Sequence, residues 1–398
     1  MEFLGYRRPD GSVGIRNWVL LVPFRYEHQI AERIARTVRG TRVLVTTGCL
    51  GRPKRDRETF ARVIGGLGRS PNVAGTILIG TAPETEYPEV DYHRLAAAIA
   101  EGGRSVEVLT VGDCGSAAAA VERGTALARR MVVEASQQRR EPCGLGDLCL
   151  GVKCGVSDVS SGVAGNPTVG RAFDAVVGAG GTALFSENTE IIGAEHLLAD
   201  RAATGAVADA ILDVASRTEA RARSTGEDIR ATNPIPANIA AGISTLAEKS
   251  IGAIAKGGTS PLKGVLRYGE RPEGRGLYFV DAWMSSYSLP AAYAAAGAQM
   301  CLYVMGGESL PTGVAMPTVS SGVVIPMLYL TGNPRTYVKM KTELDFNASP
   351  VLEGTESLDA AGERLLGFLA EVASGALTRT EALRHTDPVE IYFEGPVF

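Results

Sequence analysis

The sequence lacks any apolar run long enough to cross a membrane, is poor in aromatics at 6%, and holds only four histidines, His28, His93, His196 and His385. A membrane helix needs about 20 consecutive apolar residues, and the first apolar run here covers only residues 18–24. Residues 1–9 already carry charge, so no signal segment and no membrane partner are expected, and the reading is of a cytoplasmic protein with reduced thiols. Charge of one sign is also missing: 40 Lys and Arg stand against 44 Asp and Glu, a net charge of −4. Without a basic stripe, nucleic acid is not an expected partner. No Gly-x-Gly-x-x-Gly opens a helix and no Walker A loop occurs, so no nucleotide cofactor is expected. His-Glu-x-x-His, Gly-x-Ser-x-Gly and Cys-x-x-Cys are absent too. Zincin, α/β-hydrolase and zinc-ribbon readings therefore fail.

What is present is a long, glycine-rich globular sequence. The 398 residues, 45% apolar and 21% charged, exceed one ordinary core and predict more than one unit. Apolar runs at 18–22, 42–45, 74–79 and 106–111 read as buried strands, and 27–38, 56–67, 92–101 and 117–137 have helical spacing. That alternation predicts an open parallel sheet with helices on both faces. A polar, Pro- and Gly-bearing stretch at 137–148 reads as a boundary. The same pattern then resumes, with strands at 148–152, 182–186, 276–281, 300–304 and 325–330, and helices at 166–178, 207–222, 290–296 and 358–374. The expected fold class is α/β: two open, mostly parallel sheets with flanking helices, a Rossmann-like or flavodoxin-like arrangement without a dinucleotide loop. The expected domains are an N-terminal α/β unit at 1–140 and a C-terminal catalytic α/β unit at 146–398.

In such sheets ligands bind outside the carboxyl ends of the strands, and three loops qualify. The first holds Lys153, Cys154, Ser157, Asp158, Ser161 and Asn166. A lysine there is a point charge for a carboxylate or a proton carrier; the plainer reading is a glycine turn with a cap and a buried cysteine. The second runs from Ser186 to His196 and includes Glu187, Glu190 and Glu195. Glu190 and His196 fit acid/base partners or metal ligands, and equally a capped, solvated helix start. The third joins Asn233-Pro234, Glu248-Lys249-Ser250 and Lys256-Gly257-Gly258, where a helix closed by glycine is the plainer reading. Three glycine-adjacent or strand-borne cysteines, Cys49, Cys154 and Cys301, would suffice for an iron–sulfur cluster with one open iron; three unrelated buried thiols is the plainer reading.

The ordered motifs Gly5-Tyr6-Arg7, Gly14-Ile15-Arg16-Asn17, Pro71-Asn72-Val73, Lys153-Cys154-Gly155, Thr189-Glu190, Gly193-Ala194-Glu195-His196, Asn233-Pro234, Glu248-Lys249-Ser250 and Lys256-Gly257-Gly258 resemble the altronate/galactarate dehydratase family over nearly the whole chain. Two branches matter, the sugar-acid dehydratases and the sulfolactate sulfo-lyases. Gly165-Asn166-Pro167 to Asp174 and Gly332-Asn333-Pro334-Arg335 look more like the large (beta) subunit of the sulfo-lyases, while Cys49 and Cys301 resemble the dehydratases. Three stretches depart from the dehydratase pattern: Thr81-Ala82-Pro83-Glu84, which lacks a cysteine; Gly306-Gly307-Glu308-Ser309; and Pro326-Met327-Leu328-Tyr329, which lacks a lysine.

The resemblance implies a lyase that eliminates water, or sulfite, from a small 2-hydroxy acid to give a 2-oxo acid. It implies Lys249 or His196 as proton-transfer groups, with Glu190 and Asp158 orienting them or binding metal. Arg16, Asn17, Lys153, Ser157, Asn166 and Lys256 are the implied substrate binders. Divalent iron or an iron–sulfur cluster on Cys154, Cys49 and Cys301 is the implied cofactor. A small β-rich partner subunit, carrying the domain that this chain is expected to lack, and a homo- or hetero-oligomer are also expected. The competing readings are a non-catalytic scaffold subunit of such a complex and an iron–sulfur redox protein.

Overall fold

In the computed structural model, which describes residues 1–82, 87–307, 324–383 and 388–398, the continuous apolar runs become strands covered on both faces. Such runs suit parallel sheets, because crossover helices shield each side. After β1 (Glu2–Arg7) and β2 (Val13–Gly14) come β3 (Trp18–Pro23), β4 (Thr41–Val43), β5 (Val73–Gly80) and β6 (Ser105–Thr110). The last four form one parallel sheet in the order β4-β3-β5-β6. Helices His28–Thr37, Lys54–Gly68, Tyr92–Ala100 and Ala117–Ser136 make its crossovers and flanks.

The chain then adds β7 (Glu141–Gly144), β8 (Cys149–Cys154), β9 (Thr182–Phe185), β10 (Leu262–Leu266), β11 (Gly276–Val280), β12 (Met300–Met305), β13 (Met327–Thr331) and β14 (Phe346–Asn347). The strands from β8 onward form a second sheet, β10-β11-β9-β8-β12-β13-β14, in which every pair is parallel. The expected fold class of two open parallel sheets stands. Three features went unread in the sequence: β10, β14, and a small antiparallel sheet β2-β1-β7. Their strands are short or half-exposed, so no apolar run marks them.

The two parallel sheets share a core. Helix Lys54–Gly68 lies on helix Leu289–Ala296 so closely that a Cβ on Gly66 would meet the Ala295 carbonyl oxygen at 2.6 Å. Asn72, fully buried, ties the same joint. Its amide nitrogen donates to the carbonyls of Gln299 (2.7 Å) and Val324 (3.0 Å), and its oxygen accepts from the Ile15 N–H at 2.8 Å. Asn72 thus works as a strut.

One consequence of strand order fixes the site. From β8 the chain leaves through helix Asn166–Gly178 to β9 on one side, whereas from the adjacent β12 it leaves to β13 on the other. Where neighbouring strands send their connections in opposite directions, a crevice opens at their carboxyl ends. Among the described residues, no helix is long and apolar enough to cross a membrane.

Candidate active site

β8 ends in Lys153-Cys154, and just past the end of β9 stands Glu187. Glu187 is the sole non-glycine among the described residues with a left-handed backbone, φ 86°. Such a conformation is costly for a residue with a Cβ and clusters at functional sites. It is followed by the single turn Asn188–Glu190. Helix Leu246–Ile254, capped by the Thr245 hydroxyl, runs into a further turn Ala255–Gly257. Lys249 and Lys256 stand two helical turns apart and so share one face.

These elements bring three lysines onto two glutamates. Lys256 is paired with Glu187 and lies 3.2 Å from Glu190. Lys249 lies 3.7 Å from Glu190, and Lys153 lies 3.7 Å from Glu187. Lys153 also sits over the Tyr303 ring, 4.9 Å from its centre. The Lys249 ammonium donates to Asn233 Oδ1 at 2.9 Å. The Cys154 N–H donates to Glu187 at 3.0 Å. All five charged side chains are buried, none more than 7% exposed. Three cations against two anions leave one positive charge out of water. Buried charge is stable only when paired, so the cluster is one anion short of balance.

The electrostatics sort the partners. Burial opposes the charged form of Lys153, but Tyr303, Glu187 and Glu190 outweigh it and push the ammonium up to about 12. Lys256 moves further in the same direction, its burial overcome by both glutamates. Glu190 is buried too, yet Lys256, Lys249 and Lys153 hold it below the ordinary carboxylate value. Burial and then repulsion from Glu190 raise Glu187, against the pull of Lys256 and Lys153. The two carboxylates are therefore driven apart, the usual mark of a divided acid/base task. Burial and Glu190 push the Cys154 thiol up to about 11, so it is neutral and a poor nucleophile.

Of the residues singled out from sequence, Lys153, Cys154, Ser157, Asn166, Glu190, Lys249 and Lys256 come together. Cys154 Sγ lies 3.4 Å from the Ser157 hydroxyl and 3.7 Å from Asn166 Nδ2. Others do not join them. Arg16 is spent elsewhere: it grips Glu381 with two bonds of 2.7 Å and donates to the carbonyls of Ile15, Val372 and Ala376. Asn17 donates to the Ala135 carbonyl at 2.7 Å, which ties β3 to a helix. His196 is exposed on the short helix Glu195–Ala199. Asp158 is buried beside the site, but it accepts from the Ser161 N–H (3.1 Å) and from Asn333 Nδ2 (3.0 Å) and touches no lysine. It holds its loop. Glu187 and Asn233 were not assigned a role from sequence. Their signals were an acid right after an apolar run and an Asn-Pro pair. His385, Pro83, Glu84, Glu308 and Ser309 lie outside the described residues.

The three-cysteine iron site is not assembled. Cys154 pairs with Val304 and Cys301 with Gly151. The two cysteines are thus three positions apart along adjacent strands, and side chains alternate faces. Cys301 faces the core shared with the first sheet, and Cys154 opens on the other side, toward Asn166. Cys49 sits beyond β4, in the first sheet's loops. Among the described residues, no group of three or more His, Cys, Asp or Glu side chains is placed to hold a metal ion.

Comparison with known proteins agrees with this architecture. Residues 5–136 match the family model "D-galactarate dehydratase/Altronate hydrolase, second domain", and residues 145–394 match "D-galactarate/Altronate dehydratase, C-terminal". The chain is 36% identical over 393 residues to the (2R)-sulfolactate sulfo-lyase subunit beta of Chromohalobacter salexigens, covering 97% of this chain and 96% of that one. It is 32% identical to the altronate dehydratase of Bacillus subtilis, covering 95% of this chain and 75% of that one. It is 29% identical to the altronate dehydratase of Escherichia coli, covering 94% and 74%.

Proposed function

The chain belongs to the D-galactarate/altronate dehydratase family of lyases, and from that premise we propose that it removes water from a small sugar acid bearing a 2-hydroxyl, leaving a 2-oxo acid. The observation that carries this reading is the buried excess of one positive charge where Lys153, Lys249 and Lys256 meet Glu187 and Glu190. A substrate carboxylate completes that balance.

The chemistry asks for three things: a base for the weakly acidic C2–H, charge stabilisation for the enediolate that forms, and protonation of the leaving hydroxyl. Lys153 and Lys256, fixed as cations, stabilise the enediolate. Lys249 carries the proton. It is held more loosely than Lys256, 3.7 Å from one carboxylate instead of between two. Glu190 orients it. The C2–H bond breaks toward the Glu190 carboxylate, the electron pair forms the C2–C3 double bond, the C3–O bond breaks as the Lys249 ammonium protonates the leaving hydroxyl, and Glu190 passes its proton on to Lys249. The hydroxyl departs with a proton as water, so no net proton is gained or lost. The enol then tautomerises to the 2-oxo acid. Ser157 and Asn166 stand beside Cys154 and suit the substrate hydroxyls. Cys49, Cys154 and Cys301, the expected iron ligands, stand apart.

A second reading, loss of sulfite from sulfolactate by the same C2–C3 chemistry, is favoured by the 36% identity to the sulfo-lyase subunit. That relative is named as a subunit beta, which supports a partner chain for this protein as well. The test is to incubate the purified protein with altronate, galactarate and (2R)-sulfolactate and follow 2-oxo acid formation. Product from one of the sugar acids supports the dehydratase. Product with sulfite from sulfolactate alone supports the second reading. No product from any of the three, with or without the co-expressed partner chain, overturns both.

A further inference from the structure

We propose that Asn233 docks the substrate carboxylate, acting beside Lys249 as a positioning residue for the elimination. This rests on the lyase reading above and deepens it. Asn233 is only 7% exposed. Its carboxamide has one accepting end and one donating end. An ammonium can only donate, so the oxygen must be the end that faces Lys249, at 2.9 Å. The amide nitrogen is thereby turned the other way, and it has no partner although it is shut off from water. A buried amide N–H without an acceptor is rare in a folded protein and points to a missing group.

Lys249 has spare capacity as well. Its other neighbour, Glu190, lies at 3.7 Å, beyond hydrogen-bond length. An ammonium and, on the carboxamide that touches it, an amide N–H are both underused beside a cluster that is one negative charge short. A water can accept from both donors but brings no charge. A carboxylate satisfies both, offering one oxygen to each donor and supplying the charge. Of the described residues in contact with the cluster, Asn233 is the one neutral side chain that combines a lysine contact with an unmatched donor.

Asn233→Asp is the sharp variant. It keeps the shape and the acceptor facing Lys249, but replaces the free N–H with a negative oxygen and so supplies the missing charge permanently. The probe is tartronate, a 2-hydroxy acid with no C3 leaving group, which binds without turning over. Its affinity is measured by calorimetry alongside the thermal midpoint of the unliganded protein. The expected result is that Asn233→Asp loses about a hundredfold in tartronate affinity, because a charge-assisted hydrogen bond becomes a repulsion, while its midpoint is equal to or above wild type. Asn233→Ala is expected to lose affinity too, and serves as the test should the Asp variant fail to fold. Tartronate affinity indistinguishable from wild type in the folded variant overturns the role of Asn233 while leaving the lyase reading standing if wild type turns over. A lowered midpoint with unchanged affinity shows a structural role only and overturns it as well. Wild type that neither binds tartronate nor forms a 2-oxo acid overturns the lyase reading and this inference together.

Discussion

At the residue scale, Arg16 and Lys249 show what a sequence does and does not reveal. Both are cations in motifs that the family resemblance picks out. Arg16 meets the carboxylate of Glu381 and the carbonyls of Val372 and Ala376, groups more than 350 positions away. Nothing local announces that its donors are consumed. Lys249 is placed by helical spacing relative to Lys256, a pattern that can be counted. The difference yields a prediction. Arg16→Ala is expected to cost roughly 3–5 kcal/mol of stability, since it strands a buried carboxylate, yet to leave the rate per folded molecule unchanged. His196→Ala, at an exposed position, is expected to change neither. Urea unfolding and steady-state rates on the two variants check this; a rate collapse in folded Arg16→Ala would return that residue to the site.

At the element scale, the strands of both parallel sheets were legible because a strand covered on both faces needs an unbroken apolar run. β10 and the two-residue β14 lacked that mark, and the pairing of β1 with β7 joins positions too far apart for periodicity to show. The turn that carries Lys256 is likewise a tertiary product. Gly258 has φ 69°, and a Cβ there would come within 2.6 Å of both Asp174 Oδ1 and the Gly170 carbonyl oxygen. Asp174 in turn accepts from the N–H groups of Thr259 and Ser260, each at 2.8 Å. This turn fixes where Lys256 begins its reach toward Glu187. Gly258→Ala is expected to displace it, with activity down by about tenfold or more and stability lowered by about 1–3 kcal/mol. Gly226→Ala is the control. It has φ 86° with nothing within 4 Å, so only the backbone strain of about 1–2 kcal/mol applies, and activity is expected to stay level. Equal activity losses in both variants would mean that the Gly258 contact does not position Lys256.

At the scale of the whole molecule, strand order does what no single motif does. The reversal between β8 and β12 opens the crevice, the end of β9 delivers Glu187, and a helix some 60 residues later in the chain, with the turn that follows it, supplies Lys249 and Lys256. Which loops would matter could be read from the sequence. That Lys153, Glu187, Glu190, Lys249 and Lys256 would share one buried space, with a positive charge to spare, could not, because charge balance is a property of the assembled fold. The same holds for the cysteines, whose separation follows from the strand register. The central claim is that this lysine–glutamate cluster carries out the elimination. The most direct test is 2-oxo acid formation by Glu190→Gln, an isosteric change that removes one carboxylate from between Lys249 and Lys256. The account predicts a folded protein whose turnover falls by about a thousandfold, within the range for loss of a proton-transfer partner. Turnover equal to wild type would take Glu190, and with it the cluster, out of the chemistry.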